Sequence, residues 1–151
     1  MNFTDWLTEL DLDEESPVVG VSPSEIDALE KQAQLKLPGS YREFLAQCGR
    51  SAGLYAQDSD FFFPTIEVLN AELAEMLEEE GIDVEIPPNA FVFAAYQGYQ
   101  YLYFICDGTV DPAVYLVTDG GAAPSKISPT FTELVRRGME DYHRAIYSKK
   151  K

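Results

Sequence analysis

The segment Ala90-Phe91-Val92-Phe93-Ala94-Ala95-Tyr96-Gln97-Gly98-Tyr99-Gln100-Tyr101-Leu102-Tyr103-Phe104-Ile105-Cys106 reads as two strands, Ala90–Tyr96 and Tyr99–Cys106, hinged at Gln97-Gly98. A two-residue loop sets the register: Tyr96 opposite Tyr99, Ala94 opposite Tyr101, Val92 opposite Tyr103. One face then collects Phe91, Phe93, Leu102, Phe104 and Cys106 and belongs to the core. The other sets tyrosine rings against small residues, as a second packing surface or as a half-exposed aromatic patch. Packing is the more frequent outcome for such a face.

Downstream, Asp107-Gly108 turns the chain, Pro112–Thr118 forms a third strand and Asp119-Gly120-Gly121 ends it. Ser128-Pro129 opens a final helix with Phe131, Leu134, Val135, Met139, Tyr142 and Ile146 inward. Upstream the period is helical. Asn2 caps a short helix carrying Phe3, Trp6, Leu7 and Leu10 on one stripe. Ser22-Pro23-Ser24-Glu25 is a capping box with proline at the first helical position. Pro38-Gly39-Ser40 opens a third helix, with Tyr41, Phe44, Leu45 and Cys48 inward and Gly49 as its stop. Thr65 caps a fourth helix that ends at Gly81, with Val68, Leu69, Leu73, Met76 and Leu77 inward. Helices, an antiparallel meander, then a closing helix make an α+β fold, mainly an antiparallel sheet with helices packed against it. Hairpin-length connections exclude a parallel doubly wound sheet.

The 151 residues suit a single domain with one core. Residues 1–20 form its N-terminal helix and acidic loop, 21–147 its body, and 148–151 a basic, frayed tail. A hydrophobic share of 46% and nineteen aromatic residues exclude a disordered chain. No apolar stretch approaches the roughly 20 residues of a membrane span. The start, Met1-Asn2-Phe3-Thr4-Asp5-Trp6, lacks the basic and apolar regions of a signal peptide, so a cytoplasmic protein is expected. Cys48 and Cys106 sit in apolar patterns and read as reduced core cysteines.

Charge is the other informative feature. The formal net charge is −15, and Ser51–Ser125 holds thirteen Asp or Glu residues with no Lys or Arg. Such a run repels itself, favours a basic partner surface and argues against nucleic acid, whose phosphates need clustered Lys and Arg. Glu78-Glu79-Glu80 occupies the last turn of a helix, where the dipole already disfavours acids by roughly 0.3–1 kcal/mol each. Breaking a local rule three times points to service for a partner, against the alternative that solvent screens all three. The candidate partner-binding residues are Glu72, Glu75, Glu78, Glu79, Glu80, Asp83 and Glu85, with Tyr99 and Tyr101 from the tyrosine face.

No catalytic or metal-binding pattern emerges. The single histidine, His143, lies in an ordinary amphipathic helix, and no serine sits in a nucleophile elbow. Two cysteines and one histidine in unrelated elements make no zinc motif. Asp11-x-Asp13-x-Glu15 continues with Ser16 and Ser22 where a calcium loop needs Gly and Glu. No glycine-rich phosphate loop is present, so no cofactor is expected.

The run Ile26-Asp27-Ala28-Leu29-Glu30, then Leu37-Pro38-Gly39-Ser40-Tyr41-Arg42-Glu43-Phe44-Leu45, resembles the signature of the SUKH superfamily, the Smi/Knr-type proteins. Ile86-Pro87, Phe91-Val92-Phe93, Gln97-Gly98-Tyr99, Tyr103-Phe104, Asp111-Pro112, Val114-Tyr115 and Phe131 follow in the expected order. The likeness runs from about Val21 to Tyr147. Cys48-Gly49-Arg50 departs from the Asn-Gly-Gly often found there, keeping only the glycine. The resemblance implies helices packed on a central sheet and no catalysis. It also implies a role like that of bacterial immunity proteins, which bind and neutralise a toxin domain, often a nuclease. A second branch resembles fungal regulators of cell-wall synthesis, which act as scaffolds for an endogenous protein partner. Neither the toxin nor an oligomeric state is legible in the sequence.

Overall fold

The computed structural model describes residues 2–147, so the basic tail at 148–151 lies outside the described residues. Strands β3 (Ala90–Tyr96) and β4 (Gln100–Ile105) pair antiparallel, with Phe91 opposite Phe104 and Val92 opposite Tyr103, in the expected register. Beyond Val92 the register slips by one. Ala94 faces Leu102, Ala95 faces Tyr101, and Tyr96 faces Gln100, so the expected pairs Ala94–Tyr101 and Tyr96–Tyr99 do not form. The turn takes three residues, Gln97-Gly98-Tyr99, with Gln97 and Gly98 at positive φ. A β-bulge at Phe93 supplies the extra residue, so the core pairing of Phe91 with Phe104 survives a longer turn.

Strand β5 (Val114–Thr118) follows β4, and β6 (Ser125–Ser128) completes the four-stranded order β3-β4-β5-β6. Strand β6 is not legible in the sequence, because Ile127 alone gives no period. A two-stranded ribbon, β1 (Val18–Val19) with β2 (Ser51–Ala52), lies apart from that sheet.

The five helices are α1 (Phe3–Glu9), α2 (Pro23–Ala33), α3 (Gly39–Cys48), α4 (Leu69–Glu79) and α5 (Phe131–Tyr147). Asn2 caps α1, and the Ser22–Glu25 capping box is formed in full. The last helix starts later than Ser128-Pro129. Its cap is Thr130, whose Oγ1 accepts from the Glu133 N–H at 3.1 Å, and Asp111 Oδ1 accepts from the Thr132 N–H at 3.0 Å. The fourth helix also differs from expectation. Thr65–Val68 is a 3-10 turn with no side-chain cap, and its tighter winding sends Ile66 inward and leaves Val68 50% exposed.

The sheet carries helices on both faces. On one, Tyr41 of α3 is fully buried, with ring centroids at 5.1 Å from Phe104, 5.3 Å from Phe131, 5.7 Å from Phe91 and 6.0 Å from Phe93. Edge-to-face and tilted pairs of this kind add to what burial of the rings contributes. Gly138 lets α5 approach: a Cβ there would lie 2.8 Å from the Tyr55 ring. On the other face, α4 packs beside β3 and lines a common surface with Val92. Its Asn70 mimics a strand, donating to the Ala90 carbonyl at 3.1 Å and accepting from the Val92 N–H at 2.8 Å. Asp60 bridges to Ala95 further along, through backbone bonds of 2.8 and 2.9 Å. Together they cover an edge that would otherwise pair with another chain.

Tyr41 holds a hydroxyl with no hydrogen-bond partner among the described residues. Tyr41→Phe removes a buried polar group and keeps the ring, so thermal unfolding should show equal or higher stability. Tyr41→Ala should cost about 3–5 kcal/mol. A marked loss in Tyr41→Phe would mean that the hydroxyl has a bonding partner.

Candidate protein-binding surface

Helix α4 ends in a Schellman turn. Gly81 has φ +64°, its N–H donates to the Glu78 carbonyl at 3.2 Å, and the Ile82 N–H reaches back to the Leu77 carbonyl at 2.9 Å. A left-handed position of this kind favours glycine, which is why the stop at Gly81 is legible in the sequence. The chain then alternates: Ile82, Val84 and Ile86 are half-buried against the core, while Asp83 and Glu85 are exposed. Glu72, Glu75, Glu78, Glu79 and Glu80 are also exposed. The seven expected acids therefore lie on one helix and the segment that leaves it.

Their isolation is the main electrostatic feature of the molecule. Arg42 pairs with Asp27 and Glu30, Arg50 with Glu25, Arg136 with Glu9 and Glu140, and Arg144 with Asp141. Every acid in these pairs lies outside Ser51–Ser125. Three acids of the run have structural work. Asp58 accepts from the Tyr142 hydroxyl, Asp107 from the Thr109 N–H at 3.0 Å, and Asp111 caps α5. Among the described residues, the carboxylates of the seven site acids have no hydrogen-bond or ion-pair partner.

The two tyrosines part company. Tyr101 is 2% exposed and belongs to the interior, so its ring is not a contact surface as the sequence suggested. The one-residue slip leaves it opposite Ala95, where its hydroxyl donates to the Gly98 carbonyl at 3.4 Å. Burial first, then the charges of Glu72, Asp60 and Glu75, push that hydroxyl's pKa up. Tyr99 sits in the turn, half-buried, donating to Gln97 Oε1 at 3.1 Å, with its ring 6.3 Å from Tyr96. The slip also moves Tyr96 to the α5 side of the sheet, away from Tyr101 and Tyr103.

Groups with chemical potential elsewhere are tied into the structure. His143 Nδ1 lies 2.8 Å from the Leu10 carbonyl, joining α5 to the end of α1. Both cysteines are free thiols, and burial pushes Cys48 up to about 12 and Cys106 up to about 11, the latter helped by Asp107 and Glu30. Such thiols are poor nucleophiles at neutral pH. Among the described residues no three His, Cys, Asp or Glu side chains gather as a metal site. No described helix is long and apolar enough to cross a membrane.

Because Glu78, Glu79 and Glu80 oppose their helix dipole and have no partners, changing all three to Gln should hold or raise stability, by roughly 1 kcal/mol in total. Moderate salt should raise the melting temperature of the unaltered protein by screening the acid run. A drop in stability of the triple variant would reveal structural partners for these glutamates. A flat salt response would show that the run is neutralised in space.

No curated protein matches this chain. A family profile does match, over residues 20–137, which runs from just after β1 to the middle of α5 and contains the capping box, the Leu37-Pro38 entry to α3 and the whole hairpin. The chain belongs to the SMI1 / KNR4 family (SUKH-1).

Proposed function

We propose that this chain is an immunity protein, a cytoplasmic single-domain binder that captures a cognate toxin domain and covers its active or substrate-binding surface. The observation that carries this reading is the set of seven exposed acids on α4 and at 83–85 that no cation of the described chain neutralises. Their mutual repulsion weakens the compact state, and a basic partner relieves it. A toxin that acts on nucleic acid carries such a basic surface, because phosphate contacts demand Lys and Arg. An acidic protein seated there competes with the substrate through the same charges. Family membership supports a role in protein–protein interaction. The reading needs no cofactor and no turnover, and His143 serves it as a tether between helices.

Co-expression with a toxin domain encoded immediately upstream should protect cells. Killing despite equal levels of the folded chain would overturn the immunity reading. With the purified pair, Glu78→Gln, Glu79→Gln and Glu80→Gln together should slow association by on the order of tenfold at low salt and flatten its salt dependence, since rim charges act mainly on the on-rate. Unchanged association in that variant moves the interface off α4.

A further inference from the structure

The turn at Gly81 sends residues 82–88 back along α4 toward β3, and the two walls do not close on each other. Between them lies a groove of about 400 Å³. Ala74 and Leu77 of α4 form one wall, Val84, Ile86 and Pro87 the other, and fully buried Val92 lies beneath. Ala74 and Pro87 are exposed to solvent, so the groove is open. Its volume falls within the roughly 300–1,000 Å³ typical of ligand clefts.

The rim of this groove has one sign. Glu78 follows Ala74 by one helical turn, and Asp83 and Glu85 alternate with the wall residues Val84 and Ile86. No Lys or Arg occurs anywhere from Ser51 to Ser125. The recess between α5 and the sheet, about 190 Å³ and lined by Tyr55, Leu102 and Tyr142, lacks this single sign, because the depression adjoining it mixes Arg137 and Arg144 with Glu140 and Asp141. An apolar slot with an acidic border selects against phosphates and acidic peptides. It suits a segment that presents an apolar side chain between cations.

We propose that the α4/84–88 groove docks an aliphatic or aromatic side chain from a basic segment of the partner protein, with flanking Lys or Arg meeting Glu78, Asp83 and Glu85. This rests on the immunity reading and names the contact chemistry of its partner. The two features divide the work: the acids speed encounter, and the desolvated anchor sets how slowly the complex dissociates.

The test uses the full chain, labelled with nitrogen-15 and titrated with the peptide acetyl-Arg-Lys-Leu-Phe-Lys-Arg-amide. A charge-matched control carries Ser-Asn in place of Leu-Phe. The Leu-Phe peptide should shift the amides of Ala74, Leu77, Val84 and Ile86 and bind at least fivefold more tightly than the control. Ala74→Trp fills the groove from an exposed helical position without changing charge, and should abolish that preference while melting as the parent does. Should the tryptophan variant melt early, Ala74→Leu replaces it and should reduce the preference. Glu78→Gln with Glu85→Gln should weaken both peptides and flatten the salt dependence. Equal binding of the two peptides, shifts mapped elsewhere, or no binding at all overturns the proposal. This titration contains no toxin, so its result stands apart from the co-expression assay. If the parent chain protects cells and Ala74→Trp protects equally, with an unchanged toxin dissociation rate, the groove fails and the immunity reading stands.

Discussion

The Tyr41 ring is the constraint on which the packing depends. It sits fully buried where α3, α5 and the β3–β4 hairpin meet, edge-on or tilted to Phe91, Phe93, Phe104 and Phe131. Aromatic rings at these spacings tolerate little displacement, so they fix the distance of both helices from the sheet. They also fix the hairpin register at its inner end, where Phe91 stacks on Phe104 at 5.8 Å. The turn at the outer end requires three residues, and the bulge at Phe93 reconciles the two demands. The pairings of Tyr96 and Tyr101 on the hairpin follow from that local compromise.

Anchoring of α4 is of a different kind. It is held by apolar contacts from Leu69, Leu73, Met76 and Leu77, and by Asn70, whose side chain takes the place of a neighbouring strand along β3. The arrangement protects the sheet edge and leaves the outer side of α4 free of structural duties. Charges are sorted accordingly. Arg42, Arg136 and Arg144 of the helical layer formed by α1, α2, α3 and α5, and Arg50 just after α3, all find acids within that layer. The acids on α4 have no ion-pair partner among the described residues. A protein selected for stability alone would place a lysine or arginine in the last turn of α4, and this one places three glutamates there. Acids of this kind cost little once salt screens them, and they remain available to a basic surface.

Much of this was legible before any tertiary contact was known. Five helices, their start signals at Asn2 and Ser22, the stop at Gly81, the β3–β4 hairpin and the acid cluster all follow from local chemistry: capping groups, a left-handed glycine, hydrophobic period and unbalanced charge. These signals are local because each is satisfied within a few residues. What tertiary structure alone decided is the bulge at Phe93, the burial of Tyr101, the existence of β6, the 3-10 turn that exposes Val68, and the groove between α4 and 84–88. Each depends on a partner distant in the chain. A register slip is set by core rings that arrive from α3 and α5, and a short polar strand such as Ser125–Ser128 forms only because β5 offers an edge. A groove is the space left when two walls are held apart by what lies beneath them, and no residue of either wall encodes that space by itself.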